Sequence, residues 1–449
     1  MTQSKVSGAS TKLRLTAGLG ALALTAAACS TSAGRTSSTG SSSSPQTLKL
    51  ITWVNPPAVK ALQAIDAEFE KKYPNIKVSL QTAANLTGPY QTLLQTTVDA
   101  HSADIVSWYP PVQPLPLKPT RSNMSTWQFW STNNVFQPLN GSSWLNRMKP
   151  AAVKAETYKG NIYGMVTGSY QEGVFYNKAI FAKYHLTPPK TYSAFLADLK
   201  TLKSAHVTPL FDGLGNVGPL YLQFLYFPLM ASVWSPHVPN KTLARDLESG
   251  SVKWTSPSFV KVMQREKQIA KYLEPNYAGV PWESMPGSFA QGDAAMLLDG
   301  SWDLAAIHKV NPSMQVGFFP LPGSNVAANN VAWQNNNLTF SVLRQAPNKP
   351  AAKKWLAFFA SPAIYKQYVS ITGISPSFTG SAYTGFSASV LGSWFGRGVH
   401  GSTVFPTLSP NNSYWDQPAN WPTAQLNLLN NQFSPQHVAN LYQSAWKTS

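Results

Sequence analysis

The periodicities of this chain specify an α/β protein with mostly parallel, helix-covered sheet. An alternating strand, an amphipathic helix, a second strand, a second helix and a third strand follow one another from Thr47 to Trp108, and this β-α-β-α-β order implies parallel pairing with helical crossovers. The chain has 449 residues, 43% of them hydrophobic, which is enough for two or three domains of about 150 residues with packed cores.

Each element has a local cause. Leu48, Leu50 and Thr52 alternate with Lys49, Ile51 and Trp53 in a buried strand. Asn55-Pro56-Pro57 opens a helix with Val59, Leu62, Ile65 and Phe69 on one face, and Tyr73-Pro74 ends it. Ile76, Val78 and Leu80 alternate in a second strand. Tyr90 to Ala100 is a helix with Leu93, Leu94 and Val98 inward, and Asp104 to Trp108 is a short strand. Five prolines between Pro110 and Pro119 exclude regular structure there. Gly160 to Lys178 is strand-like but broken by glycines. Thr191–Ser204, Ser258–Tyr272 and Ala351–Ala360 are amphipathic helices. No internal repeat occurs, and no membrane span follows the leader.

The single cysteine, Cys29, stands at the end of a secretory leader. Lys5, Lys12 and Arg14 precede the apolar run Leu15–Ala28, which is too short to span a bilayer comfortably. Ala26-Ala27-Ala28-Cys29 resembles a bacterial lipobox, in which the leader is cut before a cysteine that then carries lipid; Ala26 stands where such motifs usually have Leu. Ordinary leader cleavage is the alternative. Ser30 to Gln46 is a Ser-rich flexible tether. An exported chain with one cysteine forms no internal disulfide, so Cys29 is read as an anchor.

Acidic residues are scarce, 18 against 35 Lys plus Arg. Removing the three basic leader residues from a formal +17 leaves about +14 on the mature chain. The basic residues form no stripe, and export argues against nucleic acid. A surface with few carboxylates suits contact with anionic wall polymer or an acidic medium. The chain carries 15 Trp, some beside loops where carbohydrate would want them.

The sharpest motif is Phe289-Ala290-Gln291-Gly292-Asp293-Ala294-Ala295-Met296-Leu297-Leu298-Asp299-Gly300-Ser301-Trp302. Phe289 ends a helix, Gly292 turns the chain, and Ala294 to Leu298 form a strand. Gly300-Ser301 turn into the next helix, which leaves Trp302 at a strand-to-helix junction. Ile162–Lys178, Leu186–Tyr192, Ala351–Pro376 and Leu426–Ala439 follow in an order that resembles the extracellular solute-binding proteins of carbohydrate-importing ABC transporters, the maltose-binding-like family 1 group. The resemblance covers nearly all of Thr47 to Trp446.

That resemblance implies a two-lobed periplasmic-binding-protein fold with a hinge, each lobe a mostly parallel sheet covered by helices. Residues 1–28 are then the leader, 29–46 the lipidated cysteine and tether, 47–168 plus 289–332 lobe 1, and 169–288 plus 333–449 lobe 2. It implies a lipid-anchored monomer on the extracellular face of the cell membrane that captures a sugar and passes it to a membrane permease, without catalysis.

Sugars offer hydroxyls for hydrogen bonds and C–H faces for aromatic stacking. Trp302 is the first candidate contact, flanked by Asp299 and Asp303, each either a hydroxyl acceptor or a helix cap. Trp53 and Asn55 follow the first strand, and Trp108 and Tyr109 end the third. Tyr170, Gln171 and Glu172 lie at the expected crossover, and Trp282 and Glu283 in a Pro-bounded loop. Trp333 and Asn335 belong to Trp333-Gln334-Asn335-Asn336-Asn337, where the family commonly has a glycine pair, so this stretch bears on which sugar is bound.

No cofactor or metal is expected. The seven His lack ligand spacing, and the glycine-rich Gly213–Gly218 reads as a plain loop. Three rivals stand beside the transport reading. An exported glycan-active enzyme would need two carboxylates from Asp299, Asp303, Glu172 and Glu283. A receptor for a non-sugar solute such as an anion would need Arg in its cleft, and Arg147, Arg245 and Arg265 fit no site motif. A wall adhesin rests only on the tract Trp394–Trp421.

Overall fold

Residues 45–83, 88–108, 126–215, 222–238, 242–394, 399–400 and 421–447 are described in a computed structural model of the chain. The leader, Cys29, the tether up to Ser44, Tyr109, the proline tract 110–119, part of the 213–218 loop and most of the 394–421 tract lie outside these residues.

In chain order the strands are β1 Gln46–Trp53, β2 Ile76–Ala83, β3 Ile105–Trp108, β4 Thr157–Tyr158, β5 Asn161–Ile162, β6 Met165–Val166, β7 Gly168–Asn177, β8 Leu210–Phe211, β9 Met296–Gly300, β10 Val316–Phe319, β11 Trp333–Asn336, β12 Thr339–Val342, β13 Ser375–Pro376 and β14 Val399–His400. One sheet has the order β2-β1-β3-β12-β6 and another the order β14-β11-β7-β9-β8, with β10 and β13 also on β7. A separate hairpin pairs β4 with β5.

Residues 46–108 build three strands of the first sheet as their periodicity predicts. The helix Pro56–Lys72 starts where the Asn55 side chain accepts a hydrogen bond from the Ala58 N–H at 3.1 Å, with proline in its first turn. Its inward face, Ala58, Ala61, Leu62, Ile65 and Phe69, packs on the sheet. β1 runs parallel to β2 and β3. The same core takes in Leu338 to Val342 and the helices Lys349–Phe359 and Pro362–Thr372, so the chain returns to this sheet late.

Around the second sheet, the helices Tyr192–Ser204, Gln223–Leu229 and Pro257–Ile269 cover one face. Phe289, Leu304, Ile307 and Val390 cover the other. β7 is buried along nearly all its length and is the axis of this sheet.

Two expectations are corrected by these pairings. Parallel pairing holds for β1 with β2 and β3, and for β8–β9 and β11–β14. The rest is antiparallel: β12 with β3 and β6, and β7 with β9, β10, β11 and β13. Strands β9 and β10, expected with the first sheet as part of 289–332, pair with β7 in the second, whereas β12, expected in the second, lies in the first. The cause is that an apolar run such as Ala294–Leu298 specifies burial on both faces but not which neighbour provides it. Among the described residues no helix is long and apolar enough to cross a membrane.

Candidate functional site at the sheet crossovers

The chain passes from one sheet to the other through neighbouring segments. The Thr167 N–H donates to the Leu338 carbonyl at 2.8 Å, and the Asn337 N–H donates to the Gly168 carbonyl at 2.7 Å. Thr339 pairs with both Trp108 and Val166, while Asn336 and Asn335 pair with Ser169 and Tyr170. The crossover therefore sets the aromatic end of β3 close in register to the start of β7. A helix ties it down. The Tyr365 hydroxyl donates to the Thr167 carbonyl at 2.8 Å and accepts from the Ser377 N–H at 2.7 Å, and the Ser377 hydroxyl donates to the Val166 carbonyl at 2.6 Å.

Trp302 lies beside this junction, at the strand-to-helix turn between β9 and the helix Leu304–Val310. The helix Met285–Gln291 ends at Gly292, whose φ of 91° is left-handed and favours glycine. β9 follows, then a short turn Ser301–Asp303. The Trp302 ring folds back over Gly300 so closely that a Cβ there would collide with the indole. The ring meets Tyr170 edge-on, centroids 4.6 Å apart at 83°, and lies 5.7 Å from Phe224. It is half-buried.

Alternation along β7 puts Tyr170, Glu172, Val174 and Tyr176 on one face. Glu172 pairs across the sheet with Gly300 on one side and Trp333 on the other. It is only 1% exposed, its Oε2 has no partner, and burial pushes its carboxyl up to about 8. A neutral carboxyl here both donates and accepts.

Asp299 and Asp303 form an acidic pair. Burial, then the charge of Asp303, holds Asp299 well above the usual carboxylate range, and its Oδ1 accepts from the Gly300 N–H at 2.7 Å. Burial raises Asp303 to about 6, opposed by hydrogen bonding to Asp299 and Trp302. Two adjacent buried carboxyls share the difficulty of ionising together.

The other expected residues fall as follows. Trp53 is buried against Tyr90, centroids 5.4 Å apart. The Asn55 oxygen is engaged in capping its helix. Trp108 stacks on Trp130 at 5.4 Å and meets Phe136 edge-on. The Gln171 side chain donates to the Trp394 carbonyl at 2.6 Å, and its N–H donates to the Ser301 hydroxyl at 3.2 Å. Trp282 is half-buried against the second core and Glu283 is exposed. Trp333 is enclosed, stacked on Phe227 at 5.0 Å and 23°. Asn335 is half-buried opposite Tyr170, its Oδ1 accepting from the Asn336 N–H.

Three residues near the junction were not singled out from sequence. Trp127 and Trp130 come from Thr126-Trp127-Gln128-Phe129-Trp130, an aromatic cluster that was a readable signal. Glu156 is fully buried, accepts from the Thr339 hydroxyl at 3.0 Å, and is raised by burial to about 8. Nothing local marked it. Among the described residues no group of three or more His, Cys, Asp or Glu could hold a metal.

Residues 54–366 match the family described as bacterial extracellular solute-binding protein. The multiple sugar-binding protein of Streptococcus mutans is 24% identical over 70% of this chain and 70% of its own. The melibiose/raffinose/stachyose-binding protein of Bacillus subtilis is 20% identical, again over 70% of each. Among solved structures, the solute-binding protein RafE in complex with raffinose aligns with a TM-score of 0.72 and 21% identity over 90% of this chain and 99% of its own. A Bacillus licheniformis sugar transporter protein in complex with stachyose aligns with a TM-score of 0.70 and 17% identity over 89% and 98%.

Proposed function

Since the chain belongs to the bacterial extracellular solute-binding protein family and has its two-lobed, mixed α/β fold, we propose that it captures a sugar or oligosaccharide outside the membrane and delivers it to an ABC importer. The observation that carries this reading is the half-buried Trp302 set edge-on to Tyr170, with the buried carboxyl of Glu172 on the same strand face and the amide of Asn335 across from Tyr170. An indole face for C–H stacking beside groups that donate and accept is what a saccharide requires. Trp108, Trp282 and Glu283, with Asp299 and Asp303, are further contacts in this reading, and Trp53, Asn55, Gln171 and Trp333 shape the site from behind. Tyr109 follows Trp108 directly and is included on that ground.

Closure around the sugar is a population shift: the ligand binds the closed form better than the open one. Micromolar binding corresponds to about 8 kcal/mol, part of which drives closure. The relatives' ligands make raffinose, stachyose and melibiose the first sugars to try. No catalytic step is assigned, and the protein acts as a monomer held to the membrane by lipid on Cys29. A thermal-shift panel of mono- and oligosaccharides tests the reading. A ligand at about 100 times its dissociation constant adds about 2.7 kcal/mol. Intact sugar recovered after incubation supports a receptor; cleaved sugar supports an enzyme. Mass spectrometry of the exported protein reads whether Cys29 carries acyl chains.

A further inference from the structure

The helix Pro257–Ile269 places Ser258, Lys261 and Arg265 at i, i+3 and i+7, on one face. That face lines an open cavity of about 440 Å³ on the second-sheet half of the protein, together with Ser232, His237 and Ser324. Ser232 comes from a π-helical turn, Met230–Trp234, a local distortion that often marks a functional position.

The position of Arg265 is unusual. Its residue is only 8% exposed, and its guanidinium lies 4.2 Å from the centre of the Tyr192 ring. Among the described residues it makes no hydrogen bond and no ion pair; the ion pairs there are Lys77–Glu70 and Arg245–Asp246. A buried guanidinium without a carboxylate is costly unless an anion meets it. Every other charged or potentially charged group lining the cavity, Lys261 and His237, is basic.

Of the remaining polar groups Ser324 suits an anion, whereas Ser232 spends its hydroxyl proton on the Pro228 carbonyl at 2.7 Å. The Ser324 hydroxyl accepts from the Val326 N–H at 3.1 Å, which leaves its proton to donate. The helix begins at this cavity, has no acidic residue in its first turn, and is not capped by the Ser256 side chain. Its dipole and first N–H groups therefore add positive potential.

We propose that this cavity is a binding site for a phosphate-type oxyanion, with the Arg265 fork as its main contact and Lys261 as a second. Its volume falls within the range of about 300–1,000 Å³ typical of small-molecule sites, larger than a bare tetrahedral anion needs. It therefore takes free phosphate or a phosphate ester with a small organic group. The sugar-binding reading plays no part in this assignment.

Calorimetric titration of the purified protein with inorganic phosphate and with glycerol phosphate, at chloride-matched ionic strength, tests it. Binding with a dissociation constant of about 1 mM or below is expected. Tighter binding of the ester identifies an organic phosphate as the ligand, and equal binding identifies the free anion. Arg265→Lys keeps the charge but loses the fork, and should weaken binding about tenfold. Lys261→Gln, at an exposed position, should weaken it severalfold. Trp302→Ala should leave it unchanged. Absence of binding beyond chloride by either probe, or unaltered affinity in both Arg265→Lys and Lys261→Gln, overturns the proposal.

Discussion

Trp302 stands edge-on to Tyr170, their ring centroids 4.6 Å apart, because Gly300 leaves room for the indole to fold back over the strand. The Gly-x-Trp spacing thus has a steric meaning. A side chain at position 300 would occupy the space that the indole fills.

Replacing Gly300 with Ala should therefore act through Trp302. Overpacking of this kind costs about 1–3 kcal/mol when the neighbours cannot move. Trp302 is half-buried, so its ring swings away instead. Sugar affinity should fall about tenfold while the unfolding midpoint drops only slightly. A large loss of stability with affinity intact would refute this account of the glycine.

Trp333 should behave in the opposite way. It is 1% exposed and stacked on Phe227. Trp333→Ala removes a fully packed ring and should cost about 3–5 kcal/mol, read from urea unfolding.

The crossover latch offers a third test. Tyr365→Phe removes a hydroxyl that donates to the Thr167 carbonyl and accepts from the Ser377 N–H, both buried. Leaving such groups unpaired costs about 1–3 kcal/mol. Hydrogen exchange should speed up at Ser377 and at the Thr167–Asn337 crossover. Unchanged protection there would remove the latch.

Stability should rise in mild acid. Nine of the 18 acidic side chains are buried among the described residues. Burial raises Asp66 and Glu274 to about 7 and Glu156 and Glu172 to about 8. In the unfolded chain these groups titrate near about 4. Between those values the native state holds more protons than the unfolded state, so their stabilising effect is complete below about pH 4 and fades as pH rises through 7 and 8. Glu70, held below its ordinary value by the Val78 N–H and by Lys77, works the other way, but it is only partly buried, its Lys77 partner is exposed, and it contributes little. The thermal midpoint should be several degrees higher near pH 5 than near pH 8. A lower midpoint near pH 5 would show that these carboxyls are ionised in the native protein. The sparse surface acids read from composition are thus half of the matter; the other half is buried.

How much was legible depended on distance along the chain. The run from Thr47 to Trp108 was readable because each element has its own period and cap, down to Asn55 before Pro56. The Phe289–Trp302 motif was readable because glycine geometry is local. Sheet membership was not. β9 joins β7 across more than 100 residues, and nothing in Met296-Leu297-Leu298 names its neighbour. The roles of the aromatics were only half readable for the same reason. Trp302 and Trp333 are both indoles beside strands, and only packing separates the half-buried ring from the enclosed one.

Sugar capture by this protein rests on one indole at the junction of two sheets. Its most direct test is calorimetric titration of the tightest sugar from the panel into the wild-type protein and Trp302→Ala. Micromolar wild-type binding that weakens about tenfold or more in the variant, with the unfolding midpoint nearly unchanged, is the predicted result. Equal affinity in the two proteins, or no saccharide bound by the wild type, would contradict it.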